Sequence, residues 1–309
     1  MQYVLGLRKL GHDACIVQVS PGNAPGHRLA NFDVVLNISG ALPANSIQQV
    51  PIRVYLDLDP AFNQLWHEQG IDRGFDGHTH FVTVGQAIGT GSCPLPTHGL
   101  AWIGSFPPVV LDEWTKVDSI DVDAFTTVAN LRSYGPIEHE GVHYGQKVHS
   151  LRALTDLPRR AGGTFLLAMD VHPDDARDRR ALEDGGWKLI DPDGVASTPD
   201  AYRRFVQSSL AEIGVAKSGY VVSQCGWFSD RSACYLASGR PVVAQETGFS
   251  KFLPVGEGLL AFTDLDSAVA AVQEVRRDYR CHAAAARRIA EEHLDSDHVL
   301  ARLLQQVGA

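Results

Sequence analysis

The sequence predicts an α/β protein of two domains, each built on a parallel sheet covered by helices on both faces. Three observations carry that expectation. At 309 residues the chain is long enough for two cores, because a single core stops growing near ~250 to 300 residues. Its strand-like segments are continuous apolar runs, as strands buried on both faces read, not apolar–polar alternations. Polar or helix-patterned stretches separate the runs and supply the crossovers that parallel strands need.

Taken in order, YVLGLRKL (3 to 10) reads as the end of an amphipathic helix stopped by Gly11, followed by Asp13 and the apolar run ACIVQV (14 to 19), a buried strand. Further strands are expected at FDVVLN (32 to 37), IRVYLDL (52 to 58) and HFVTV (80 to 84). Residues 93 to 114 are rich in proline, glycine and aromatics and read as an irregular passage between domains, with the boundary near 118. The first domain is thus 1–118 and the second 119–295.

In the second domain, strands are expected at AFTTVANL (124 to 131), TFLLAMD (164 to 170), WKLID (187 to 191), YVVS (220 to 223) and PVVAQ (241 to 245). Helices are expected between them at 173 to 184, 199 to 213 and 230 to 238. Another, near 265 to 280, puts Val269, Val272 and Val275 on one face, with Thr263 and Asp266 in capping-box positions. The last segment, 296–309, begins at Ser296 as a cap and carries Val299, Leu300, Leu303, Leu304 and Val307 as one stripe. That stripe needs a partner, and the first domain is where it is expected to return.

Composition narrows the function classes. A formal charge of −9 offers no long-range attraction to a phosphate backbone, and the paired arginines fall in polar helical segments, so no nucleic-acid partner is expected. Five widely spaced cysteines without a CxxC pair fit a reduced, cytoplasmic setting. No apolar run approaches the ~18 residues of a membrane span, and the opening residues lack the charged-then-apolar-then-small pattern of a signal peptide, so a soluble, unexported chain is expected.

The stretch HEGVHYGQKVH (139 to 149) sets His139, Glu140, His143 and His149 at zinc-protease spacing. Such a site needs a helix, since histidines four apart share a face only at 3.6 residues per turn. Gly141 lies between the histidines and Gly145 follows, each unfavourable in a helix interior by about 1 kcal/mol. A methionine-bearing turn is also missing downstream, Met169 standing inside an apolar strand. The expectation is a glycine-rich loop and no metal site.

The more informative region is 223 to 262, SQCGWFSDRSACYLASGRPVVAQETGFSKFLPVGEGLLAF. Ser229 is placed to cap a helix whose free amides favour an anion, with Arg231 able to add a charge-assisted bond. YLASGRPVVAQETGFSKFL followed by GEGLLAF resembles the donor-binding region of GT-B glycosyltransferases of the family 4-like group. GLRKLGHD near the start and ARRIAEEHLDSDHVLARLL at the end are similar to that family's first and last helices, so the resemblance runs over nearly the whole chain.

The resemblance implies two Rossmann-like domains facing across a cleft, a nucleotide-sugar donor as substrate, an acceptor and no bound cofactor. By context it assigns the donor diphosphate to Arg132, after AFTTVANL, and to Lys147; the helix start and the strand ends add Gly226, Ser229, Asp230, Arg231, Thr247 and Gly248 as expected donor-site residues. The chain departs from the family in two respects. The family's paired glutamates fall at Gly226 and Cys234, with Asp230 as a substitute. Its first strand and glycine loop precede the helix on which this chain opens, so that strand is expected to be missing from the first domain.

Ligands of parallel sheets bind beyond the carboxyl ends of strands, which offers Ser39, Gly40 and Gln86 on the acceptor side. An inverting transfer needs a group to take the acceptor's proton, and Asp59, Asp57 and His80 are the candidates, Asp59 first because it follows a strand directly. Asp59-Pro60 is equally a turn signal. A nucleotide-sugar epimerase of the same fold and a non-catalytic nucleotide-sugar-binding subunit remain the alternative functions, with a zinc hydrolase behind them.

Overall fold

The computed structural model describes residues 1–17 and 29–309. Two parallel sheets organise it. The first has strands β1 (Val34–Ile38), β2 (Ile52–Asp57), β3 (His80–Thr83) and β4 (Trp102–Gly104), in the spatial order β1-β2-β3-β4. The second has β5 (Val122–Asn130), β8 (Thr164–Asp170), β9 (Lys188–Ile190), β10 (Ser209–Gly214), β11 (Val242–Gln245) and β12 (Leu259–Phe262), in the order β12-β11-β10-β5-β8-β9. A two-stranded hairpin, β6 (Ile137–His139) with β7 (Val142–Tyr144), is inserted after β5.

Numbered along the chain, the six strands of the second sheet stand in the order 6-5-4-1-2-3. That is the doubly wound dinucleotide-fold arrangement, with its reversal point between β5 and β10. Both faces are covered, and all six residues of β10 are buried, polar Glu212 included. The expected fold class, two Rossmann-like parallel sheets in a mixed α/β chain, is what forms.

Four segments fold otherwise than their sequence suggests. Residues 14–17 form no strand, and Gln18 and Val19 lie outside the described residues. SLAEIG, all but Gly214 expected inside the 199 to 213 helix, is strand β10: the helix Pro199–Ser208 ends where Ser209 turns extended (ψ 153°). YVVS, expected as a strand, belongs to the helix Ser218–Ser223. Four residues carry no readable period, and the place beside β5 goes to β10. Trp102–Gly104, inside the expected irregular passage, completes the first sheet as β4.

Caps shift by one residue in two places. Asp264 with Ser267 makes the capping box of the helix Leu265–Arg277, not Thr263 with Asp266. Asp295 caps the last helix, Ser296–Val307, in place of Ser296.

That last helix lies on the first sheet. Leu303 and Val307 pack with Val54, Leu56 and Val82, each such burial being favourable by about 1.5 to 3 kcal/mol. The opening helix, Gln2–Lys9, crosses it at Gly6, where an added Cβ would meet Leu300 at 2.5 Å. Only hydrogen fits there. The two ends of the chain therefore close over the first sheet together, and Lys9 pairs with Asp297 at 3.1 Å.

Candidate functional site

A cavity of about 280 Å³ opens at the reversal point of the second sheet. Its floor comes from the end of β5 (Ala129, Asn130) and the turn beyond it (Ser133); its charged wall comes from Lys147, Lys217 and Arg231. Ser229 and Asp230 line it at the start of the helix Asp230–Ala237, and Tyr3, Leu58, Val84 and Pro107 close it from the side of the first sheet.

Local chemistry fixes each cation. The Ser229 Oγ accepts a bond from the Arg231 amide at 3.2 Å and so caps the helix. Arg231 runs under the cavity, its Nε donating to Glu212 Oε1 and its Nη1 to the Val128 carbonyl at 2.9 Å. Glu212 is wholly buried and its other oxygen, Oε2, has no partner among the described residues. The pair balances two buried charges, and removing one member leaves the other uncompensated.

Lys147 is the first residue of the helix Lys147–Ala153, which starts just after the β6–β7 hairpin. Its ammonium donates to the Val215 carbonyl, and among the described residues no carboxylate pairs with it. Burial, then the nearby charges of Arg231 and Lys217, bring it well below the ordinary lysine range, against the pull of Glu212. An anion entering the cavity would reverse that shift.

Lys217 stands three residues beyond β10. Its ammonium is 2.9 and 3.1 Å from the two oxygens of Asp59 and bonds the Tyr134 hydroxyl. The Tyr134 and Tyr220 hydroxyls also donate to Asp59.

The zinc-like stretch does not assemble a metal site. Glu140 (φ 48°) and Gly141 (φ 76°) form the tight turn of the β6–β7 hairpin, so no helix aligns the histidines. His143 pairs with Glu138, and the His149 Nδ1 accepts from the Gln146 amide at 2.9 Å. Among the described residues no group of three His, Cys, Asp or Glu side chains could hold a metal ion.

Of the residues named from sequence, Lys147, Ser229, Asp230 and Arg231 come together in the cavity, and Asp59 reaches it through Lys217. Arg132 does not. Leu131 is drawn into the core of the second sheet, and Arg132 is left beside Asp175 (2.8 Å) and Asp178 (3.6 Å).

Gly226, Thr247 and Gly248 form a backbone joint instead of a phosphate cradle. The Gly226 amide donates to the Thr247 carbonyl at 2.7 Å, the Thr247 hydroxyl to the Trp227 carbonyl, and the Gly248 amide to Glu246 Oε1. A Cβ on Gly248 (φ 96°) would meet the Gln224 carbonyl at 2.6 Å. Gln86 sits against this joint, its Nε2 enclosed and without a partner among the described residues, while Ala87 bonds the Cys225 carbonyl at 2.9 Å.

Asp57 is wholly buried and accepts four bonds, from Asn63 (2.6 Å), Thr83 (2.8 Å), Gln64 (2.9 Å) and the Asp59 amide (3.0 Å). It frames the loop and offers no lone pair to the cavity. His80 opens β3 at the amino end of the sheet, bonded to Thr79 at 2.9 Å, so it is on the wrong side for chemistry in the cleft. Ser39 (φ 49°) and Gly40 (φ 71°) turn the chain after β1, where a Cβ on Gly40 would meet the Arg73 carbonyl at 2.6 Å. Neither lines the cavity.

Lys217, Asn130, Ser133 and Tyr3 are cavity residues that sequence reasoning missed. For Lys217 a signal existed: once SLAEIG is read as a strand, this lysine follows its carboxyl end.

No protein-family profile matches the sequence, and no curated protein matches it significantly. Solved structures do. The Anabaena protein Alr3699/HepE in complex with UDP and glucose is 12% identical and superposes with a TM-score of 0.62 over 92% of this chain and 79% of its own. An α-glucosyltransferase in complex with UDP-glucose and DNA containing an abasic site is 10% identical, with a TM-score of 0.59 over 91% and 82%. A glycosyltransferase from Rickettsia africae is 12% identical, with a TM-score of 0.57 over 98% and 86%. Two facing parallel sheets, a cavity at the reversal point of the second and a final helix returning to the first give this chain the GT-B fold.

Proposed function

We propose that the protein is a glycosyltransferase that binds a nucleotide-diphosphate sugar in the cavity between the sheets and passes the sugar to an acceptor approaching from the first sheet. The observation that carries this reading is the grouping of Lys147, Arg231 and a capped helix start around one cavity at the reversal point of a dinucleotide-type sheet. A departing nucleoside diphosphate gathers negative charge, and these preorganised donors stabilise it in place of a divalent ion.

Structural relatives with UDP or UDP-glucose bound make UDP the first nucleotide to try. The Asp59 carboxylate stands on the side of the first sheet, where an acceptor hydroxyl would arrive. Calorimetric titration of the purified chain against UDP, dTDP, GDP and ADP, without added metal, tests the reading. Binding of one of them at micromolar concentration, about −8 kcal/mol, is expected. A folded chain that binds none of the four would overturn it.

A further inference from the structure

We propose that Lys217 is a further ligand of the donor diphosphate and that Asp59 holds it in reserve, the incoming phosphates competing with the carboxylate for the ammonium. This rests on the nucleotide-sugar reading above. Lys217 lines the same cavity as Lys147 and Arg231 and follows β10, one of the two strands that flank the reversal point.

The three cations differ in how they are neutralised. Arg231 is tied to Glu212, which is wholly buried within the second sheet, and that pair has no route to exchange. Lys147 has no carboxylate partner among the described residues. Lys217 has one, but Asp59 comes from the loop after β2 in the first sheet, so this ion pair spans the cleft. Its members keep 18% and 24% side-chain exposure, which leaves the pair open to a competing anion.

Both partners have a second source of stabilisation, so an exchange strands neither charge. The Lys217 ammonium lies over the rings of Tyr134, Phe62 and Tyr220 at 4.3, 5.0 and 5.3 Å. Ring faces attract a cation without using its N–H donors, so the donors that now reach Asp59 pass to phosphate oxygens when the carboxylate is displaced, while the one on Tyr134 stays in place. Asp59 keeps the hydroxyls of Tyr134 and Tyr220 and is held in place by its own amide's bond to Asp57.

Two consequences follow for the reaction. Phosphate oxygens gain a third cation once Asp59 releases it, and the release frees carboxylate lone pairs for the hydroxyl of an acceptor. Donor binding thereby prepares the acceptor side, and a cleft without donor keeps Asp59 occupied.

The test has a sign that a merely structural Asp59 does not produce. UDP and inorganic pyrophosphate are titrated into the wild-type chain, Asp59→Asn, Lys217→Met and the double variant, with a melting curve for each. Asparagine keeps the size and still accepts a tyrosine hydroxyl, but it no longer competes for the cation. Asp59→Asn is expected to tighten both ligands about three- to tenfold, and Lys217→Met to weaken them about tenfold. The double variant should behave as Lys217→Met alone, because the competition acts through that lysine. Wild-type binding with Asp59→Asn unchanged or weaker overturns this inference alone. A folded wild-type chain that binds neither UDP nor pyrophosphate overturns the nucleotide reading and this inference with it.

Discussion

At the carboxyl end of β2, Asp57 accepts four hydrogen bonds from its own surroundings. At the carboxyl ends of β5 and β10, by contrast, Lys147 has among the described residues a single carbonyl and no carboxylate, and Lys217 borrows its anion from the other sheet. Both regions place charge where parallel sheets bind ligands. In the first, local donors use up the charge and it becomes framework; in the second, bonding capacity is left over, and that surplus marks the side facing the ligand. Residue type at a strand end therefore says less than what remains unsatisfied around it.

The largest effect expected from this contrast is on stability. Asp57→Ala leaves the Asn63, Gln64 and Thr83 donors buried without their acceptor and is expected to destabilise the chain by about 3 to 5 kcal/mol, read from urea unfolding. A loss under ~1 kcal/mol would mean that Asp57 is not framework. Gly248→Ala follows, at about 1 to 3 kcal/mol, since its positive φ and the nearby Gln224 carbonyl leave no room for a methyl group.

On the ligand side, Lys147→Met is expected to weaken UDP about tenfold, or 1.4 kcal/mol, with little change in melting temperature, because it removes a buried ammonium that has no ion partner among the described residues. The sign of its pH dependence follows from the depressed pKa. Raising the pH deprotonates Lys147 in the empty site before it would deprotonate a lysine in water, so UDP affinity should fall as pH rises towards the ordinary lysine range. Within the pH range where that fall is seen, binding should also take up a proton, visible as a buffer-dependent heat, and the uptake should vanish in Lys147→Met. Heat that is the same in every buffer across that range would show that Lys147 is already charged.

The smallest effect separates two arginines that look alike in sequence. Arg132→Ala is expected to leave UDP affinity within about twofold and to lower stability by no more than ~1 kcal/mol, since its pairs with Asp175 and Asp178 are partly exposed. A tenfold loss of affinity would put Arg132 back in the donor site. Arg231→Ala is unsuitable as its counterpart, because it strands the buried Glu212.

The parallel sheets were legible because strands buried on both faces read as unbroken apolar runs: β2, β8 and β11 fall within two residues of their expected limits. The start of the helix Asp230–Ala237 was legible for a similar reason, since a serine cap acts on amides two residues away. Strand β10 was hidden by Glu212, a charge that disfavours a central strand until Arg231, nineteen residues later, arrives to pair with it. With that strand unread, Lys217 could not be recognised as a residue at its carboxyl end.

Arg132 and Arg231 show where sequence stops. The chain alone determined the α/β class, a glycine-rich loop in place of a metal-binding helix, and the cationic side chains near the strand ends, because periodicity, caps and glycine conformations are local properties. Tertiary structure decided which cations face the cavity, since that depends on which buried carboxylate each one meets. It also brought Asp59 of the first sheet to Lys217 of the second. A contact between residues 158 positions apart is set by how two sheets pack across a cleft, and no local pattern encodes it.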